Sequence, residues 1–299
     1  MQRRTALSLL FLAALAGPAA AAGSAPAAAI ATPVASKPTT RLLWHGHAAF
    51  QIITPRGKVL LIDPWLTNPG RPKLPMGAGA AVDQVKAMQK VDYIFITHGH
   101  FDHVGDAVAL AKQTGARLVA SFELGTNLAR LQGYPAGQMG YDTLMNIGGE
   151  IAIADGEVTV AMVPAVHSSS LDPGPGKEKE PLEYGGNPAG FVLKIKDGPT
   201  IYHSGDTAFF RDMELIGESY APDVALLNIG GHFGMEPAMA ARAAEAVKAR
   251  LVVPHHYRTF PILTQDPKGF FALLAEKNIP HREATYLQPL VFEGKTLKK

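Results

Sequence analysis

Residues Thr97 to Asp106, THGHFDHVGD, hold three of the chain's 11 histidines and two aspartates. Within them, His98-Gly99-His100-Phe101-Asp102-His103 offers four ligand-type side chains in six residues, directly after Val91 to Ile96, a run that reads as a buried strand. Imidazoles and carboxylates without sulfur make a donor set for zinc, manganese or iron. The chain has no cysteine, which excludes thiolate ligation and disulfides. Four such groups crowd a single ion, so two neighbouring ions are the natural arrangement. The end of a strand is where α/β sheets build their sites, and Gly99 is expected to let the backbone turn tightly enough for its neighbours to converge. A polar capping loop is the alternative, and the H-x-H-x-D-H spacing argues against it.

Strands and helices must hold these residues. Arg41–Trp44, Phe50–Ile53 and Val59–Ile62 read as strands, and Asp63–Ala81 is too rich in Pro and Gly to be anything but a long loop. A short helix is expected over Asp83–Gln89, and a longer one over His103–Gln113, ended by Gly115. Leu118–Ala120 is a strand and Glu123–Leu131 a helix, followed by two strands around the Asp155-Gly156 turn within Glu150–Val163. A second long loop, Ser168–Pro188, precedes strands Gly190–Ile195 and Thr200–His203. Helices are expected from Ala208 to Gly217, over Glu236–Ala249 with Pro237 at its start, and over Pro267–Lys277. Strands Val224–Ile229 and Leu251–Val253 lie between them, and Ala284–Phe292 closes the chain. The alternation predicts mixed sheets flanked by helices.

The N-terminus reads as an export leader, residues 1–22: Arg3-Arg4, then the apolar run Ala6–Gly17, too short to span a bilayer, then small residues with A-x-A spacing. The arginine pair suggests the twin-arginine route to a periplasmic or secreted location. Residues 23–40, rich in Ala, Pro, Ser and Thr, read as a flexible tether, and 41–299 as one folded domain. Without Arg3 and Arg4, 26 Lys and Arg face 26 Asp and Glu, so no basic footprint for nucleic acid exists and a nuclease is disfavoured. A small-molecule substrate is expected, with no stable membrane insertion after leader cleavage. Homo-oligomerisation stays open.

The H-x-H-x-D-H stretch resembles the signature of the metallo-β-lactamase superfamily. His167 in VPAVHSS, Asp206 in YHSGDT and the last histidine of PHHY match the rest of its pattern in order. More narrowly, GHAAF (46–50), IDPWLTNP (62–69), YGGNPAGF (184–191), IGGHFGMEP (229–237) and PHHY (254–257) are similar to metal-dependent hydrolases related to the bacterial ascorbate-6-phosphate lactonase. The resemblance implies an α/β fold of four layers, an αββα sandwich (the metallo-β-lactamase fold) with two mixed β-sheets flanked by helices. It also implies that His98, His100 and His167 hold one divalent ion, that Asp102, His103 and His256 hold a second, and that Asp206 bridges. Zinc is the first choice of metal, with manganese or iron as alternatives. The Pro-x-His-Tyr pattern selects His256 over His255, which is left beside the site. Two such ions hold a bridging hydroxide that Asp102 orients and deprotonates as general base; no G-x-S-x-G motif competes.

Other residues carry two readings each. His47 and His232 either face substrate or are ordinary hydrogen-bonded histidines, and His203 either orients Asp206 or ends a strand. Asp63 is expected to support a ligand histidine from behind. His45 and His281 read as structural or solvated, Trp65 as core rather than substrate wall, and the KEKE run from Lys177 as a solvated tip. The two long loops are expected to wall the substrate. The function that follows is an exported dinuclear hydrolase of a small ester, lactone or phosphodiester. A β-lactam hydrolase and a metal-binding or ligand-sensing protein without turnover are the alternatives. A diiron redox role would need a glutamate in the ligand set and a flavin partner domain, and neither is evident.

Overall fold

The computed structural model describes residues 37–70, 83–174, 176–177 and 179–298. The expected leader, most of the tether, residues 71–81 of the first long loop and Glu178 of the KEKE run lie outside them. In chain order, β1 (Thr39–Trp44), β2 (Phe50–Ile53) and β3 (Val59–Ile62) lead to the short helix α1 (Gln84–Ala87). Next come β4 (Tyr93–Phe95), α2 (Phe101–Val104), α3 (Ala107–Thr114), β5 (Arg117–Ser121), α4 (Phe122–Asn127) and β6 (Leu144–Met145). The middle is all strand: β7 (Glu150–Ile153), β8 (Val158–Pro164), β9 (Ser170–Leu171), β10 (Glu183–Tyr184), β11 (Ala189–Ile195) and β12 (Thr200–His203). Then α5 (Met213–Tyr220), β13 (Val224–Asn228), α6 (Pro237–Val247), β14 (Leu251–His255), α7 (Lys268–Glu276), β15 (Leu290–Glu293) and β16 (Thr296–Leu297) close the chain.

Among these, one sheet runs β16-β15-β1-β2-β3-β4-β5-β6 and another β14-β13-β12-β11-β8-β7, with β9 and β10 as a separate ribbon. Both large sheets are mixed. β3 to β6 pair in parallel, as do β12 to β14, and the remaining pairings are antiparallel. The layering can be read residue by residue. On β3, Leu60 and Ile62 join the core between the sheets while Leu61 joins a second core with Ala107, Leu110 and Ala111 of α3. On β4, Phe95 faces the first core and Ile94 the second. Alternate strand residues point to opposite faces, so β3 and β4 are buried on both, each such side chain contributing about 2 kcal/mol. Behind the other sheet, Ala240, Ala244 and Val247 of α6 pack with Val224 and Leu226 of β13. The layers are therefore helix, sheet, sheet, helix, as the resemblance implies.

Several elements depart from expectation. The helix predicted over His103–Gln113 is two: α2 stops at Gly105, at φ 42°, where a Cβ would lie 2.6 Å from the Trp65 Cα. The break releases Asp106, whose N–H reaches Pro64 O and whose carboxylate accepts from the Thr67 N–H at 2.9 Å, tying the first loop down. The helix expected from Ala208 begins only at Met213, because Thr207 and Ala208 are held by Val166: Val166 N donates to Thr207 Oγ1 and Ala208 N to Val166 O, both at 2.9 Å. α4 runs on through a π-turn, Leu128–Gln132. β1 starts at Thr39, two residues inside the expected tether, since Thr39 and Thr40 pair with Glu293 and Phe292. Among the described residues no helix is long and apolar enough to cross a membrane.

Candidate metal centre

Six loops meet at one sheet edge. His47 follows β1, Asp63 follows β3, and His98 to His103 follow β4 and enter α2; His167 follows β8, Asp206 follows β12 and His256 follows β14. Parallel and antiparallel pairings put the carboxyl ends of β1, β3 and β4 together in one sheet, and those of β8, β12 and β14 together in the other. The backbone is unusual there. His47, Asp63 and His256 have φ of 50°, 45° and 59°, a region that non-glycine residues occupy at a cost and that clusters at functional sites. The His256 N–H donates to His47 O at 3.0 Å, which fixes both. Gly99 lies in the bend expected of it and also serves by closeness: a Cβ there would lie 2.8 Å from Ser170 O, and its N–H reaches Ser169 Oγ at 3.0 Å.

Two ligand groups result, linked by a third made of His98, His103 and Asp206. His98, His100 and His167 converge, with His98 Nε2 and His100 Nδ1 2.9 Å apart. His47, Asp102, His103 and His256 form the second, and all potential ligand atoms in each group lie within 4.8 Å of one another. Asp206 sits between them. Its Oδ2 is 3.0 Å from His256 Nε2, 3.4 Å from His103 Nε2 and 3.8 Å from His167 Nε2. Yet His103 Nε2, His256 Nε2 and Asp206 Oδ1, all buried, have no aligned hydrogen-bond partner. Buried polar atoms are normally satisfied, so these unpartnered ring nitrogens and carboxylate oxygen, converging at one place, are what a divalent cation requires. The residues fit metal binding of the kind the sequence implied.

Charge divides the groups. Burial first, then the positive neighbour His103, pushes the His98 pKa well below its ordinary value; burial likewise lowers His100 and His167. For His103 burial works the same way, but the carboxylates of Asp206, Asp63 and Asp102 overcome it and hold the pKa well above 6.5. His256 is raised to about 9 against burial, by Asp206 and Asp102. The same partners keep Asp102 and Asp206 far below the usual carboxylate range although burial opposes this.

Supporting residues stand behind the ligands. Asp63 Oδ2 lies 2.7 Å from His103 Nδ1, and the Thr97 N–H and hydroxyl donate to the same carboxylate, so Asp63 stands directly behind His103. His47 is fully buried and is not among the residues that line the cavity described below. Its pKa is lowered to about 3 by burial and by His256, so it is neutral. Nε2–H then donates to Asp102 Oδ2 at 2.9 Å, and Nδ1 accepts from Thr259 Oγ1 at 2.7 Å. His203 touches no ligand: Nε2 donates to Ala48 O, Nδ1 accepts from the Gly205 N–H, and the ring stacks on His255 at 4.5 Å. It shapes the turn that carries Asp206. His255 is buried beside Ser204, 3.3 Å from its hydroxyl, and belongs to none of the ligand groups. His232 is exposed and packs edge-on against Phe233, outside the site. His45 is buried against Gln51, and His281 stacks on Phe271.

A cavity of about 700 Å³ opens onto His100, Asp102, His167, Asp206 and His256, within the range of small-molecule sites. The second long loop supplies Ser168, Ser170, Asp172 and Leu182 to its walls, as expected. The first supplies none of its described residues; Trp65 packs behind, edge-on to His47 and stacked on Phe260. The other walls, Phe233 and the Phe260–Leu263 segment, went unread in the sequence. Their only signal is position, a few residues after a ligand or a glycine pair.

A family described as a beta-lactamase superfamily domain matches residues 58–257. A metal-dependent hydrolase of Thermodesulfovibrio yellowstonii is 47% identical over 250 residues, covering 84% of this chain and 90% of that protein. One from Anaeromyxobacter dehalogenans is 51% identical over 248 residues, covering 83% and 85%. Among solved structures, Igni18, a metallo hydrolase from Ignicoccus hospitalis, superposes with a TM-score of 0.68 at 34% identity, over 85% of this chain and 99% of that one. An isothiocyanate hydrolase from Delia radicum gut bacteria, at 19% identity and TM-score 0.59 over 85% and 99%, shares the fold.

Proposed function

The chain belongs to the beta-lactamase superfamily and is a metal-dependent hydrolase of the metallo-β-lactamase fold, and on that premise we propose that it uses two divalent ions to hydrolyse a small ester, lactone or phosphodiester. We assign one ion to His98, His100 and His167, the other to Asp102, His103 and His256, with Asp206 shared. The observation that carries this is Asp206 Oδ2, within 3.8 Å of ring nitrogens from both groups while Oδ1 and two of those ring nitrogens, His103 Nε2 and His256 Nε2, lack aligned hydrogen bonds. Zinc suits a set of imidazoles and carboxylates first, then manganese or iron. When bound, such ions make water acidic enough to attack at neutral pH and polarise the substrate's acceptor oxygen.

The chain's own groups do the rest. Asp102 borders the cavity and is the base that takes the proton of the attacking water. Neutral His47, locked in one tautomer by Thr259, holds that carboxylate in place. Asp63 orients His103, and the walls exclude bulk water. We further propose that the protein is exported through the leader read in residues 1–22; deletion of that segment should leave it in the cytosolic fraction.

Metal content and turnover test the reading together. The purified protein should hold two ions per chain and hydrolyse at least one member of a panel of lactones, esters, phosphodiesters and β-lactams, with turnover lost in Asp102→Ala. Fewer than one ion after reconstitution with zinc and manganese would overturn the dinuclear assignment. Two ions with no turnover would favour a ligand sensor.

A further inference from the structure

Ten large apolar side chains are exposed among the described residues, and four of them, Phe101, Leu182, Phe233 and Ile262 at 55 to 63% exposure, border this one cavity. Phe260 and the buried Leu263 complete the apolar wall. Exposed apolar side chains gathered at one place mark a binding surface. The charges point the same way: among the described residues bordering the cavity there is no Lys or Arg, and the only ionisable wall residue away from the ligands is Asp172, exposed at the rim. Among the described wall residues, an anionic substrate body would meet no basic side chain and one like charge.

We infer that the substrate is a neutral ester or lactone with an apolar acyl body, seated against Phe101, Phe233, Phe260 and Ile262 with its carbonyl toward the ligand groups. This rests on the hydrolase reading above and narrows it, setting aside phosphodiesters and phosphorylated lactones. The reaction is a balanced hydrolysis. The acyl C–O bond breaks, water gives its oxygen and one hydrogen to the acyl carbon, and its other proton, collected by Asp102, goes to the departing alkoxide.

Alkyl hydroxamates, which bind metals without being hydrolysed, test the pocket separately from turnover. Calorimetry on the metal-loaded protein with butanoyl to octanoyl hydroxamates should give an affinity rising about fourfold per methylene, the factor that corresponds to about 0.8 kcal/mol for a buried CH₂. A carboxylate at the far end of the same chain should weaken binding at least tenfold. Ile262→Lys and Leu182→Lys, both at exposed positions, should flatten the slope and narrow that gap with metal content unchanged. A flat series, tighter binding of the ω-carboxylate, or a slope present only where the probes form micelles would overturn the inference. Esters of the same acids are assayed in parallel. A slope in binding with no ester turnover would keep the pocket and sink the hydrolase reading. Turnover without chain-length dependence would do the reverse.

Discussion

His98, His100 and His167 meet through ring nitrogens alone, the last two half-buried at the cavity, whereas His103 and His256 are buried among three carboxylates, with Asp63 and His47 bracing them. In the open group every imidazole is neutral, so a cation need displace no proton there. The carboxylates of the buried group are balanced, without metal, by protons on His103 and His256. One group is a half-buried cradle of neutral donors open to the cavity, and the other is a preorganised box of charge closed by a proton or a cation. Asp206 belongs to both. The contrast predicts that the buried group sets affinity and pH dependence while the open group meets substrate.

The largest effect should come from Asp206→Ala, the one change that strikes both groups. Turnover should fall at least about a thousandfold, on the order of 4 kcal/mol of barrier, and metal analysis should find both ions weakened; full retention of either would break the comparison. Asp63→Ala sharpens it. Loss of the carboxylate behind His103 should weaken one ion by roughly 10- to 100-fold and leave the other unchanged, as competitive chelation of the two ions will tell. A uniform loss would mean that the groups are not separable.

Protonation gives a smaller and more distinctive difference. At pH 7 to 8, filling the buried group should release protons and filling the open group none, measured by calorimetry in buffers of different ionisation enthalpy. The same shifts act on stability. The pKa of His256 is raised on folding, so its contribution to the metal-free protein is complete below about 6.5 and lost as pH rises through about 9. The Tm of metal-free protein should therefore fall by several degrees between pH 7 and 10, beyond any change in the loaded form. The smallest effect expected is that of His232→Ala, an exposed site touching neither group: stability within about 0.5 kcal/mol and kcat/KM unchanged.

What could be read in advance follows from how local each feature is. His98 to His103 lie on one short segment, so spacing alone exposed them, and Asp63 was legible because it directly follows a strand. The mixed α/β class was legible from the alternation of strand-like and helix-like segments, whereas the four layers followed only from the resemblance, because spacing does not count sheets. His47 was ambiguous because its partners, Asp102 and Thr259, are 55 and 212 residues away. Phe233 and Ile262 looked like ordinary apolar residues, since exposure is a property of the folded surface. The helix ends misread at Gly105 and Ala208 were decided by contacts with Trp65 and Val166 that no local propensity encodes.

The pairing of β1 with β15, Thr39 opposite Glu293, bears on the order in which this protein is made. His47 lies just past β1, and its partner Thr259 lies beyond β14, so the box around Asp102 needs both ends of the chain. Contacts this distant in sequence close late and slowly. A chain still being synthesised presents His98 and His100 long before His256 exists, and an ion met then finds a fragment of a site. The surroundings of Asp102 are thus complete only once the two ends of the chain have met.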